Sequence, residues 1–344
     1  MNLPLNYKEI QIQKTFIKWY NKNKRILPWR QLFDNKLPNP YYILVSEYML
    51  QQTTVSTAKK RFNEFILKWP TLDLLSKTKD ETILRFWSGL GYYSRASNLL
   101  KTAKIIKKNY DGKIPNKFEN LINLPGIGEY TANAILGIAY NKSVMPLDAN
   151  IDRILSRIYG FEIPLAKIKK DLKTKASLFI SKDSSTKLIQ AFMDYGSLIC
   201  TPRKPNCSIC LIRLDCVSFK KNLQDTIPIK IKFKKIKPKK YSRAYIIFNE
   251  NNEILVRKRS SKGMLPSMLE VPNDSWVKSK KNLVKDDILL IIRNKFESAG
   301  LLEYSFSHFD LETEVFFTKV KKNKIINQKW INYKTINKSG LPTV

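Results

Sequence analysis

No apolar run in this chain approaches the roughly 18 residues that a membrane-spanning helix needs. Stretches such as Ala134–Tyr140 and Ile288–Ile292 are far too short, so no membrane partner is expected. The opening residues, MNLPLNYKEIQ, hold no apolar signal core, which predicts a cytoplasmic protein. There is no internal repeat. Cysteine is absent outside positions 200–216, and in a cytoplasmic chain that argues against a disulfide framework. Acidic residues are scarce, 29 against 62 lysines and arginines, for a formal net charge of +33.

What is present is ample apolar material. The chain has 344 residues, of which 43% are hydrophobic, enough for real cores in two or three domains and too much for a disordered basic tail. The positive excess points to a polyanion, because lysine and arginine neutralise phosphates and release counterions. A blander reading competes: the excess is 49 lysines to 13 arginines, as a solvated lysine coat would be.

Residues 41–60, 79–87, 94–108, 117–123, 130–140 and 149–159 carry helical periodicity, most cleanly in Ile151, Ile154, Leu155, Ile158 and Tyr159. Residues 221–240 alternate lysine with isoleucine and phenylalanine and read as a basic linker. Beyond it, YSRAYIIF–NENN–EILVRKR has the alternation and central turn of a β-hairpin. Together with FFTKV (316–320) and KWINY (329–333), it predicts a separate α+β domain.

The four cysteines, Cys200, Cys207, Cys210 and Cys216, have C-x6-C-x2-C-x5-C spacing. Metal is the strong reading for such a cluster. Zinc remains the alternative, although structural zinc sites usually use two close pairs and only one C-x2-C occurs here. Four thiolates on one compact loop also suit a cubane [4Fe–4S] cluster. The uneven spacing resembles the cluster loop of the endonuclease III superfamily. Arg203, Lys204 and Arg213 give that loop a basic surface.

Leu124-Pro125-Gly126-Ile127-Gly128 separates two helical segments. Proline ends the first, and the glycines permit a tight turn that exposes the N–H groups opening the next helix. This reads as a helix–hairpin–helix element gripping a phosphate through Gly126 and Gly128, with an ordinary helical corner as the alternative. Asp148 stands immediately before helix 149–159 and is its expected N-cap. The helix N-terminus should help to keep it ionised. Glu47 has Ile43, Leu44 and Leu50 as its helical neighbours, so it lies inside an apolar stripe. It sits either at the stripe's edge or in a dry pocket with a raised pKa, where it would serve as a general acid or base.

Taken in order, Leu27-Pro28-Trp29-Arg30, Ser46 to Thr53 (SEYMLQQT), Trp87 to Ala96 (WSGLGYYSRA), Leu124 to Gly128, Leu147-Asp148-Ala149-Asn150 and the four cysteines resemble the MutY-type adenine DNA glycosylases across essentially the whole chain. The resemblance implies a mainly α N-terminal region, a helix–hairpin–helix glycosylase over 1–220. Within it, about 31–140 would form a six-helix barrel, and 1–30 with 141–220 an iron–sulfur cluster domain. A linker over 221–240 and a C-terminal α+β Nudix-like domain over 241–344 would follow. The implied partner is duplex DNA carrying adenine opposite 8-oxoguanine or guanine, bound by a nucleoid-associated monomer with one [4Fe–4S] cluster.

The same resemblance assigns roles. Glu47 is the general acid and Asp148 the cation stabiliser or nucleophile, with Tyr130 and Asn150 orienting Asp148 and the attacking water. Gln52 and Tyr92 are inserted into the base stack, within DNA-contacting runs that include Gln51 and Thr53. Trp29, Arg30 and Gln190 meet the adenine. Phe306-Ser307-His308-Phe309 matches the 8-oxoguanine recognition loop, with Ser307, and His308 (the chain's one histidine), as its contacts. Arg30, Arg95 and Arg203 are expected to meet DNA. Lys262-Gly263-Met264-Leu265 through Glu270-Val271-Pro272 matches the first Nudix signature, but the Arg-Glu…Glu-Glu run of a pyrophosphohydrolase is missing, so this module should bind without hydrolysing.

Several positions depart from the family pattern. Ala149 replaces a usual glycine, Asp152 stands where some relatives carry lysine, and Pro266 and Ser267 replace small residues. Two other readings compete with the adenine glycosylase. An oxidised-pyrimidine glycosylase/lyase needs a Schiff-base lysine where Tyr130 stands. A non-catalytic DNA-binding scaffold would have no need of both Glu47 and Asp148.

Overall fold

The computed structural model describes residues 7–33, 37–180, 185–230, 236–260, 263–265, 268–292, 294–321, 329–339 and 341. Lys262, Pro266 and Ser267 of the sequence reading lie outside these residues. The chain divides into two compact units, residues 1–77 with 101–232, and residues 78–100 with 233–344.

The first unit is built on helices. In chain order they are α1 (Tyr7–Asn23), α2 (Pro40–Leu50), α3 (Val55–Lys68) and α4 (Leu72–Ser76); α5 (Asp80–Trp87) lies in the second unit and α6 (Ser94–Asn109) has residues in both. The first unit then holds α7 (Phe118–Ile122), α8 (Glu129–Ala134), α9 (Ala149–Tyr159), α10 (Lys169–Ser177), α11 (Ser185–Leu198) and α12 (Val217–Lys220), plus a two-residue pairing of β1 (Leu32–Phe33) with β2 (Leu37–Pro38). α1 packs on α11, with the Phe16 ring 4.6 Å from Phe192 and 4.5 Å from Tyr195. Both contacts are fully buried, and each such side chain is worth about 1.5–3 kcal/mol of burial.

The helix expected over 41–60 is two helices. α2 ends at Leu50, Gln52 takes φ +55°, and the Thr54 hydroxyl accepts from Thr57 N–H to cap α3. A capping threonine offers the backbone a stop that apolar spacing does not register. α8 runs directly into a wider π turn over Ile135–Ala139, so the expected 130–140 element is continuous but changes pitch. Its Gly137 is needed for close approach: a Cβ there would lie 2.2 Å from Ile189 Cδ1 of α11.

The second unit is built on a sheet with strand order β5-β4-β3-β7-β6, with β8 also paired to β4. Its strands are β3 (Lys239–Asn249), β4 (Glu253–Lys258), β5 (Leu269–Glu270), β6 (Glu297–Ser305), β7 (Asp310–Val320) and β8 (Lys329–Asn332). The expected hairpin is β3–β4, antiparallel around a turn in which Asn249 Oδ1 accepts from the N–H groups of Asn251 and Glu253. β3 runs parallel to β7 over their full length. Alternation places Tyr245 and Ile247 in one core, with Ile288 and Ile292 around the short α13 (Ile288–Ile291), and Ile246 and Phe248 against Ile254, Val256 and Ile331 on the other face. β6 and β7 form an antiparallel hairpin whose tip is Phe306–Phe309.

Candidate functional site

Glu47 sits on α2, a helix buried on nearly every side from Tyr41 to Met49. Such a helix has no solvent edge to which a carboxylate can turn, which decides between the two sequence readings in favour of the dry pocket. The residue is 6% exposed. Burial is the main cause pushing its pKa up to about 8. The neighbouring Asp148 charge adds to the rise, and a hydrogen bond from the Tyr130 hydroxyl opposes it. Tyr130 in turn is raised well above the ordinary phenol range, by desolvation of its hydroxyl and then by the Glu47 and Asp148 charges.

Tyr130 is positioned by the turn that precedes it. Gly126 has φ +80°, Ile127 N–H returns to Leu124 O at 3.1 Å, and Gly128 caps α8. The Pro125 carbonyl accepts from Tyr48 of α2 and, at 3.1 Å, from Thr102. Gln51 Nε2 reaches Gly126 O at 3.3 Å. The helix that carries Glu47 is thereby tied to the hairpin, while Gly126 and Gly128 stay exposed.

Asp148 is the N-cap of α9, as expected. Oδ1 accepts from Asn150 N (2.9 Å) and Ile151 N (2.7 Å), and Oδ2 accepts from Asn150 Nδ2 at 2.9 Å. These capping bonds favour the ionised form, as expected of a helix N-terminus. Desolvation outweighs the capping bonds, Asp152 adds like charge, and the pKa is raised above the usual 3.8. Ala149 lies in ordinary, exposed helix, so its methyl imposes no strain. Asp152 is 4% exposed and pairs with Lys169.

Asn150 is fixed from two directions that the sequence did not signal. Arg153 Nη2 donates to Asn150 Oδ1 (2.9 Å) and to Gly196 O (2.7 Å), and Arg153 Nε donates to the Cys200 carbonyl (2.7 Å). At Gly196 a Cβ would sit 2.6 Å from Asn150 Cβ, so only glycine leaves that side chain its place. The one visible trace was the i, i+3 spacing of Asn150 and Arg153.

The predicted base-contacting residues divide. Gln52 is exposed and holds φ +55°, an uncommon conformation for a side-chain-bearing residue and one that marks functional sites. Thr53 follows it, its N–H bonded to Leu50 O at 3.3 Å. Trp29 is buried edge-on against Phe62, 5.5 Å between centroids. Arg30 was expected to meet a base or DNA, but its guanidinium forks onto Asp194 of α11 at 2.7 and 2.8 Å. Arg25 completes the clamp through N–H and Nε at 2.9 and 2.7 Å. Against the desolvation of a fully buried carboxyl, the two guanidinium groups hold Asp194 below the usual range. Gln190 lies one turn before Asp194 on α11. It is 4% exposed, its amide donates to Thr186 O, and its Oε1 has no hydrogen-bond partner among the described residues.

All four cysteines line one cavity whose other walls include Ile154, Ile158, Ile199, Ile212 and Phe219. Each is a free, half-buried thiol. Arg157, itself fully buried, donates to Cys200 Sγ at 3.2 Å, and the Tyr195 hydroxyl donates to Cys210 Sγ at 3.3 Å. Donors aimed at sulfur in an apolar chamber are what a thiolate-held cluster asks for. Among the described residues, no three His, Cys, Asp or Glu side chains converge on a position for a single ion. Arg203 and Arg213 on this loop are exposed.

In the second unit, Tyr92 has φ +45° and is 45% exposed at the end of a glycine turn. Arg95, expected to meet DNA, is instead 5% exposed and turned inward, donating to the carbonyls of Leu90 (2.8 Å), Gly91 (3.1 Å) and Tyr92 (3.4 Å). Three carbonyls from one tight turn need donors, and the guanidinium fork supplies them. At the tip of β6–β7, Phe306 N–H bonds Phe309 O at 2.9 Å and the two rings stack at 4.6 Å. Ser307 and His308 stand exposed above them. The Tyr92 hydroxyl and Ser307 Oγ are 2.7 Å apart.

Two family models match the chain: the HhH-GPD superfamily of base excision DNA repair proteins over residues 45–177, and the NUDIX domain over residues 243–344. An adenine DNA glycosylase of Buchnera aphidicola from Schizaphis graminum is 35% identical, over 95% of this chain and 94% of its own. The adenine DNA glycosylase of Schizosaccharomyces pombe is 25% identical, over 98% of this chain and 88% of its own. Among solved structures, a thermostable thymine-DNA glycosylase superposes with a TM-score of 0.56 and 28% identity, over 62% of this chain and 97% of that one.

Proposed function

The chain belongs to the adenine DNA glycosylase family, and from that premise we propose that it hydrolyses the N-glycosidic bond of adenine mispaired with 8-oxoguanine or guanine in duplex DNA. The observation that carries the reading is the carboxylate pair. Glu47 has a pKa near 8 in a dry pocket, beside an Asp148 held by three donors at a helix N-terminus.

Adenine inside a duplex must leave the stack before any side chain can reach its glycosidic bond. Gln52 and Tyr92 take the vacated stack, and their left-handed backbones support this role. Gly126 and Gly128 bind a backbone phosphate through their exposed N–H groups. Gln190 offers its unpartnered Oε1 to the exocyclic amine of the base, and Trp29 walls the pocket. Arg30 acts through Asp194, fixing the face of α11 that carries Gln190.

Adenine leaves readily only when protonated. Glu47, protonated at neutral pH, gives its proton to N7, and the electron pair of the breaking C1′–N9 bond goes to the base. The sugar becomes oxocarbenium-like opposite Asp148, which stabilises the cation or traps it until water adds. Neutral Glu47 lightens the like-charge load on Asp148, so one carboxyl stays an acid and the other an anion. Asn150 and Tyr130 orient the pair. Tyr130 cannot form a Schiff base, so the product is an intact strand with an abasic site.

Cys200, Cys207, Cys210 and Cys216 hold one [4Fe–4S] cluster, which when bound supplies a rigid cross-link for the loop that presents Arg203 and Arg213. In the second unit, Ser307 and His308 read 8-oxoguanine. The protein acts as a monomer, with residues 1–220 as the glycosylase, 221–240 as a linker and 241–344 as the recognition module.

The test is to incubate purified protein with duplexes holding adenine opposite 8-oxoguanine, adenine opposite guanine, or an oxidised pyrimidine. Adenine release, with strand scission only after alkali, is the expected result. Nicking at the pyrimidine would overturn the reading in favour of a lyase, and no product from any duplex would favour a scaffold. A yellow-brown protein distinguishes the cluster from zinc.

A further inference from the structure

Trp276 lies in the segment between β5 and α13 and is half-buried. Its ring is 5.6 Å from Phe306 and 6.1 Å from Phe309, the two stacked aromatics beneath Ser307 and His308. Its own position is set by Arg259, whose guanidinium lies 5.1 Å from the Trp276 ring centre. Arg259 is held by an ion pair with Glu270 and by a 3.0 Å bond from its Nε to Met264 O. A chain of contacts therefore runs from the Gly263–Pro272 signature segment through Arg259 and Trp276 to the tip of the β6–β7 hairpin. These contacts give the signature segment a structural role.

We propose that Trp276 is a specificity-positioning residue, the platform that holds the Phe306–Phe309 turn in the conformation presenting Ser307 and His308 to the base opposite the target adenine. The physical reason is the shape of the turn. Its two polar residues are exposed; Ser307 Oγ meets the Tyr92 hydroxyl at 2.7 Å and the His308 ring lies 5.4 Å from Phe309, while the backbone that carries both rests on the rings below. Phe309 is 2% exposed and anchored by the sheet and by the Lys240 ammonium at 4.5 Å. Phe306 is only half-buried and rests on Phe309, Tyr304 and Trp276. Removing the indole uncovers one side of Phe306 and frees the turn to sample orientations that cannot meet the base. As a support of the turn, Trp276 contacts neither the target adenine nor the carboxylates, so adenine removal opposite plain guanine does not depend on it.

The inference rests on the reading of Ser307 and His308 as the 8-oxoguanine contacts, and the experiment separates the two. Single-turnover adenine release is measured on duplexes with adenine opposite 8-oxoguanine and opposite guanine, for the full-length protein and for Trp276→Ala, Trp276→Phe and Ser307→Ala. Trp276→Ala is expected to lower the rate opposite 8-oxoguanine by roughly tenfold and leave the rate opposite guanine unchanged, with most of the loss recovered by Trp276→Phe. A wild-type ratio in Trp276→Ala alongside a collapsed ratio in Ser307→Ala overturns the inference and leaves the loop reading standing. An unaltered ratio in Ser307→Ala overturns the loop reading, and the inference with it. Equal losses on both duplexes that Trp276→Phe does not recover would make Trp276 a general support of the fold and also overturn the inference.

Discussion

Glu47 is buried on a helix that is itself buried on nearly every side, whereas Ser307 and His308 stand in solvent on the β6–β7 tip. The two regions use their surroundings in opposite ways. In the first, burial raises a carboxyl to about pH 8 and so creates an acid that water would have abolished. In the second, burial is confined to Phe309 and in part Phe306, and the polar groups above them stay exposed. Chemistry on a bond needs a dry site whose charges are held by fixed donors; recognition of a base needs exposed donors on a stiff support. Losses in the first region should therefore be large and indifferent to the opposing base, and losses in the second small and selective.

The sharpest break is Glu47→Gln. Adenine release should fall by roughly 10²–10⁴-fold while duplex affinity, read by fluorescence anisotropy, is retained. The same variant should be more stable. In wild type the folded carboxyl titrates near pH 8 and the unfolded one near 4.5. The folded state therefore binds the extra proton between those values, and stability is lost as pH rises through them. Glutamine removes that loss, so the gain in Tm should grow between pH 5 and 8 and reflect a few kcal/mol at the upper end. A Tm difference that does not change with pH would show that Glu47 is not raised.

Next is Gly196→Ala, remote from any base. The new methyl group displaces Asn150 and should cost roughly 10²-fold in turnover on both mispairs. Loss on only one mispair would blur the line between the two regions. Ser307→Ala should be selective, costing about 3–10-fold opposite 8-oxoguanine and nothing opposite guanine, as befits one exposed hydrogen bond.

Smallest is Tyr130→Phe on the pH profile. Wild-type turnover should be bell-shaped. Its basic limb near pH 8 comes from Glu47 losing its proton, and its acid limb, from Asp148, lies above the ordinary aspartate value. The Tyr130 hydrogen bond lowers the Glu47 pKa, so its removal should move the basic limb to higher pH. A downward shift would mean that the hydroxyl stabilises the neutral acid.

Much of the site was legible because its signals are local. Asp148 before a striped helix is a cap, Gly126 and Gly128 after Pro125 make a turn, and four cysteines within one loop share a cavity. The break after Leu50 was missed because the Thr54 cap competes with a periodicity that continues past it. What Arg30 and Arg95 bond was not legible for one reason: their acceptors, Asp194 and the carbonyls of the glycine turn, are brought to them by the fold and carry no mark in the spacing.

Residue types and their spacing determined the aspartate cap of α9, the glycine turn before α8 and the clustering of the thiols, since each depends on neighbours within a turn or a loop. Tertiary structure decided the rest. It buries α2 on nearly every side and so raises the pKa of Glu47. It brings Gly196 against Asn150, 46 positions away in sequence. It also lays Trp276 beneath a turn some thirty positions downstream. Desolvation, close approach and ring packing depend on what fills the space around a residue, and the chain brings those neighbours from distant positions.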